Sequence, residues 1–155
     1  MKLKTWQKNI LYMFVIVGVG FILFNLAFIL AGLVRMVYSM IVMRFVTDFD
    51  NARLIPFSWH YVYIIFVLLL SWFVLTRPLK DLTKATYFTM PLIVVLTEVG
   101  VQFYRWPVLV WVIGAIIVGA VIFYLNKTKR SWLYYFATFY VVLVEIFVML
   151  SGMDI

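Results

Sequence analysis

Two carboxylates interrupt stretches of this sequence that are otherwise uncharged and apolar: Glu98 within ATYFTMPLIVVLTEVGVQFY and Glu145 within SWLYYFATFYVVLVEIFVMLSGM. An ionisable side chain in such a stretch is costly to place in hydrocarbon and marks a functional candidate. Glu98 lies six residues before Tyr104 and Glu145 eight before Met153. At ~1.5 Å per helical residue, both fall roughly 9–12 Å inside the same boundary. Asn25, nine residues before Val34, lies at a similar depth, with Thr97 and Gln102 flanking the layer. The candidate intramembrane polar site is therefore Asn25, Glu98, Gln102 and Glu145, and its outer rim is Arg35, His60 and Arg105.

Three kinds of chemistry fit that layer. Carboxylates brought together could share a proton and form an outward-facing polar pocket or proton site. The same groups could hydrogen-bond across helices and hold a bundle together. One glutamate could instead face a partner protein and pair with its cation. Equal depth does not decide among them, because it does not say which way each residue faces.

Cofactor and covalent chemistry is harder to build. The chain has no cysteine, so disulfides, thiolate nucleophiles and Cys-ligated zinc or iron–sulfur centres are excluded. His60 is its single histidine, too few for bis-histidine haem, and no carboxylate–histidine metal motif accompanies it. Ser58 lies two residues from His60, but no acid follows to complete a triad. No phosphate-binding loop, nucleophile elbow or HExxH is present. The expectation is a protein that is not an enzyme and carries no cofactor or metal.

The elements that position these residues follow from composition. Hydrophobic residues make up 67% of the 155 and charged residues 12%, about half the ~25% of a typical soluble domain. A water-soluble fold of this size exposes too much of its surface to hide so much apolar area. A hydrocarbon core ~30 Å thick needs roughly 20 apolar residues per helix. The charge-free runs place helices at about 9–34, 57–76, 86–104, 107–126 and 131–152. The runs do not alternate as β-barrel strands do. The first run is too long for a signal-peptide core and is read as a retained span. The expected fold is a single all-α domain, a bundle of about five transmembrane helices.

The net charge of +7 would suggest nucleic acid in a soluble protein, but here the cations cluster between spans. Lys2, Lys4, Lys8, Arg77, Lys80, Lys84, Lys127, Lys129 and Arg130 fall on one side of a five-span chain, and Arg35, Arg44, Arg53 and Arg105 on the other. The positive-inside rule then predicts a cytoplasmic N-terminus and an outer C-terminus. Trp6, Trp59, Trp106 and Trp132 at predicted helix ends read as interfacial anchors. Segment 35–56 starts apolar, with Met36, Met40 and Met43 at helical spacing, and reads as a continuation of the first helix or a bend into an interfacial helix. Asp48, Asp50, Asn51 and Pro56 then supply turn chemistry. Ala27 and Ala31, and Ala115 and Gly119, are four apart and let helices approach closely, within the bundle or against another subunit.

These features point to a small accessory membrane protein that binds a larger membrane partner, such as a sensor kinase or transporter, and regulates or stabilises it. The alternative is a small transporter, channel or substrate-capturing subunit that uses the polar layer. A membrane immunity or resistance protein is a third class. The bilayer itself is a partner, nucleic acid is not, and residue usage suggests a bacterial cytoplasmic membrane.

Overall fold

The computed structural model describes residues 4–45 and 58–151. They form α1 (Thr5–Phe45), α2 (Trp59–Thr76), α3 (Asp81–Gln102), α4 (Pro107–Lys127) and α5 (Trp132–Leu150). All five are long and apolar enough to cross a membrane. The turn residues Asp48, Asp50, Asn51 and Pro56 lie outside the described residues.

Packed pairs give the directions of the helices. Ile16 of α1 clusters with Ala85 of α3 and with Leu133 and Ala137 of α5. Further along, Ala27 meets Val94, and Leu92 and Ile93 meet Val141. Residue numbers rise together, so α1, α3 and α5 run parallel. His60 of α2 instead meets Glu98, near the far end of α3. Leu125, near the end of α4, sits with Ala85 and Leu133. Helices α2 and α4 therefore run the other way. This alternation gathers Lys4, Lys8, Arg77, Lys80, Lys84, Lys127, Lys129 and Arg130 at one end of the bundle, and Arg35, Arg44 and Arg105 at the other.

Helix α3 is the axis. It packs against each of the other four helices, and it is both the most buried span and the least apolar. Those two properties belong together. An ionisable side chain is costly in a span unless protein covers it, and Glu98 is buried, as are Thr86 and Thr89. Thr86 Oγ1 donates to the Leu82 carbonyl at 2.8 Å, and Thr89 Oγ1 to the Thr86 carbonyl at 2.7 Å. Ser71 and Thr138 likewise donate to carbonyls one turn back in their own helices. Folding these four hydroxyls onto the backbone leaves none of them bare in hydrocarbon. The outer surface is the converse: Phe14, Phe21, Trp72, Phe123 and Leu150 are each more than 60% exposed. In water such a surface would aggregate, whereas lipid solvates it.

Three boundaries differ from those the hydropathy suggests. Helix α1 starts at Thr5 rather than 9, taking the polar Gln7 and Lys8 into its first turn. Helix α1 does not stop at Val34; its helical hydrogen bonding continues to Phe45. Its 41 residues reach about 62 Å, twice the hydrocarbon thickness. Of the two readings of segment 35–56, the described part follows continuation. Helix α3 starts at Asp81 rather than 86, with Asp81 in its first turn, where the helix dipole favours an acid. The turn between α4 and α5 is closed by Arg130 N–H donating to the Leu125 carbonyl and Lys129 N–H to the Asn126 carbonyl. Lys129 occupies the left-handed position of that motif with φ 49°.

Candidate functional site

Glu98 is the most deeply placed carboxylate among the described residues, 6% exposed near the C-terminal end of α3. Its Oε2 lies 2.7 Å from His60 Nδ1. With Glu98 ionised the imidazole N–H is the donor, because a carboxylate offers only lone pairs. His60 belongs to the first turn of α2, and Ser58 at the N-cap turns its Oγ toward the His60 backbone N–H at 3.5 Å. Ser58 is thus a helix cap, which accounts for its spacing from His60 without any nucleophile role. The α2 N-terminus brings its positive dipole end toward Glu98. Two more groups complete the neighbourhood. Trp59 lies against the His60 ring with centroids 3.8 Å apart, and the Arg35 guanidinium lies 5.8 Å from the Trp59 ring centre.

These residues wall a cavity of about 320 Å³ between α1, α2 and α3. Ala27 and Ala31 keep its α1 wall thin, and Tyr63, Ile93, Val94 and Val101 make the rest largely apolar. Tyr63 ties α2 to α1 by donating to the Ala27 carbonyl at 2.8 Å. Among the described residues no donor reaches Glu98 Oε1, and no carboxylate pairs with Arg35.

Glu145 lies in a different place. It is half-buried on α5 and accepts from Thr97 Oγ1 at 2.8 Å. It lines a second cavity, of about 420 Å³, between α3, α4 and α5, together with Leu96, Val99, Gly114, Ala115 and Gly119. On α3 the residues facing this groove, Leu96 and Val99, lie roughly opposite Val94, Glu98 and Val101 at ~100° per residue. Thr97 joins the two regions, lining the first cavity while bonding the carboxylate of the second.

The four-residue layer therefore does not converge. Glu98 and Glu145 lie at matched depth but in separate cavities. Asn25 is exposed on the outside of α1, and its amide donates to its own helix at the Phe21 carbonyl, 2.8 Å away. The physical reason is rotation: Ala27, two residues on, faces the bundle, so Asn25 is about 200° away from it. Gln102 is exposed in the last turn of α3. Of the rim residues, Arg35 and His60 join the first cavity. Arg105 stays outside, donating to the Tyr104 hydroxyl at 2.9 Å. Trp59, expected as an interfacial anchor, forms cavity wall as well.

The small residues divide too. Ala27 is buried against α2 and α3, and Ala31 lines the first cavity. The α4 pair is not used inside the bundle: Ala115 and Gly119 are exposed, and a Cβ added at Gly114 or Gly119 would meet nothing within 4 Å. The internal close approach is at Gly20, where a Cβ would come within 3.0 Å of the Tyr140 ring and 3.5 Å of Thr89 Oγ1.

No protein-family model, curated protein or solved structure matches the chain.

Proposed function

We propose that this chain is a small polytopic accessory membrane protein that packs against a larger membrane protein through the α4–α5 face and stabilises or regulates it. The observation that carries this reading is the open α4 face. Glycine weakens a helix relative to alanine by about 1 kcal/mol, and within a span its common use is to let another helix approach. Gly114 and Gly119, like Gly18 and Gly32 on α1, meet nothing among the described residues; the α4 pair differs in the groove beside it. They border a groove with a half-buried carboxylate, Glu145, on its wall. A partner helix carrying a hydrogen-bond donor or a cation would fill the groove and satisfy Glu145 together. The basic end of the bundle is assigned to the cytoplasmic side by the positive-inside rule, and the membrane is taken to be a bacterial cytoplasmic membrane on residue usage alone.

The test is copurification from native membranes in mild detergent. Wild-type protein should carry a stoichiometric larger membrane protein. Gly119→Leu should lose it while keeping the thermal transition of the isolated chain. Wild-type protein that emerges alone and is fully active alone would overturn the reading.

A second reading has its own observation. Thr97 connects the Glu98 cavity to Glu145, which suits a small transporter or channel that passes protons or a substrate across α3. Glu98→Gln and Glu145→Gln, separately and together, should then abolish uptake or proton flux in vesicles. Unchanged flux in a folded double variant would eliminate this reading.

A further inference from the structure

The cavity between α1, α2 and α3 holds opposite charges that do not neutralise each other. Glu98 keeps one oxygen without a donor, and Arg35 has no carboxylate partner among the described residues. Both line the same apolar-walled space. His60 satisfies only Oε2 of Glu98. The Arg35 guanidinium rests over Trp59, and the N-terminus of α2 adds positive potential beside it. A simple cation would meet Arg35 unfavourably, and a simple anion would meet Glu98. A ligand that carries both signs a few bonds apart satisfies each.

Size and depth narrow the choice. A volume of about 320 Å³ lies at the low end of ligand clefts, which run ~300–1,000 Å³. Glu98 is four residues from the end of α3, or about 6 Å inside it. Phe28 lines the cavity and is 41% exposed, so an apolar edge continues onto the lipid-facing side of α1. We propose that this cavity binds a phosphoethanolamine group, with the primary ammonium donating to Glu98 Oε1 and the phosphate held by Arg35. The aromatic and aliphatic walls take the uncharged linker. The group can arrive as the headgroup of a bilayer phospholipid or as a free small molecule, and the chemistry at the site is the same. The site is on the other side of α3 from the α4–α5 groove, and it stands whether or not a partner docks there.

The test uses the full chain, delipidated in mild detergent. It is offered equimolar phosphatidylethanolamine, phosphatidylcholine and phosphatidylglycerol with matched acyl chains, and retained lipid is counted by native mass spectrometry. O-Phosphoethanolamine alone is titrated separately by equilibrium dialysis. A choline headgroup has the positive charge but no N–H to donate, and a glycerol headgroup has neither. A charge-assisted hydrogen bond is then read as a preference for ethanolamine of about tenfold or more. Glu98→Gln should bring ethanolamine and choline lipids to near parity. Arg35→Gln should lower retention of all three phospholipids. Saturable binding of O-phosphoethanolamine without lipid preference supports the same site with a soluble ligand. Equal retention of the three lipids by wild-type protein, with no O-phosphoethanolamine binding, overturns the proposal. So does an ethanolamine preference that survives both substitutions. The wild-type competition needs no variant, so it decides even if Glu98→Gln does not fold.

Discussion

Removing His60 should cost more than removing its partner, although both substitutions break the same bond. The bond is short, 2.7 Å, and joins the first turn of α2 to the axial helix α3. The side chain of Glu98 is 8% exposed and that of His60 23%. In His60→Ala the carboxylate stays buried with no described donor. Leaving a buried group without its hydrogen-bond partner costs about 1–3 kcal/mol, and more where the group is charged; the nearby α2 N-terminus and Arg35 temper that, so the cost here is about 3 kcal/mol. In Glu98→Leu the remaining imidazole lies at a helix end with partial exposure, so it can turn to water or to headgroups, at a cost of about 1 kcal/mol. The double variant removes both members of the pair, so neither is left without the other. It should be less destabilised than the two single effects added, by about 1–2 kcal/mol. Neutral interhelical hydrogen bonds in membranes couple by about 0.6 kcal/mol on average, and charge assistance roughly doubles such a bond. The assay is reversible unfolding in mixed micelles, followed by far-ultraviolet circular dichroism, for all four proteins of the cycle. Equal losses in the two single variants would refute the burial asymmetry. A coupling below about 0.3 kcal/mol would refute the bond as a stabilising contact.

The glycines should behave oppositely. Gly20→Val drives side-chain atoms into Tyr140 and Thr89 and should lose about 1–3 kcal/mol, whereas Gly114→Val, facing open space, should change the stability of the isolated chain by less than about 0.5 kcal/mol in the same unfolding assay. At the α4–α5 turn, Lys129→Gly relieves a side chain at φ 49° and should leave the protein about 1 kcal/mol more stable than Lys129→Ala, which removes the same charge but keeps the strain. Because the chain contains no cysteine, topology can be read from single substitutions. A membrane-impermeant maleimide should label Ser151→Cys on intact cells and Thr128→Cys only after permeabilisation, and the reverse pattern would overturn the assigned orientation.

What the sequence disclosed was depth, and what it withheld was direction around each helix. Span boundaries follow from where charges interrupt apolar runs, so α2, α4 and α5 begin and end within about two residues of the expected positions. Arg35 misled at α1 because a cation ordinarily closes a span. A long arginine side chain can instead reach along its helix to a polar zone, and the apolar MVYSMIVM that follows keeps the helix going. Facing is another matter. In water, a helix shows its buried side by apolar periodicity. In lipid both sides are apolar: Ile16 is fully buried and Val17 beside it is exposed. The matched depths of Asn25, Glu98 and Glu145 were therefore legible, while their separation into an outer face and two cavities was not. Helix α3 is the exception, because its threonines and glutamate require cover and so mark it as the interior helix. The pairing of His60 with Glu98 left only a faint signal, two polar residues at the same end of neighbouring antiparallel spans. The small residues carried the least directional information of all. Gly20 and Gly119 look alike in sequence, yet one is filled by Tyr140 and the other by nothing among the described residues. A glycine kept open inside a span costs helix stability and gains nothing within the bundle. The gain it allows, close approach by another helix, has to come from outside the fold; Gly18 and Gly32 on α1 are as open as the α4 glycines, so what singles out the α4 face for a partner helix is the groove it borders, with Glu145 on its wall.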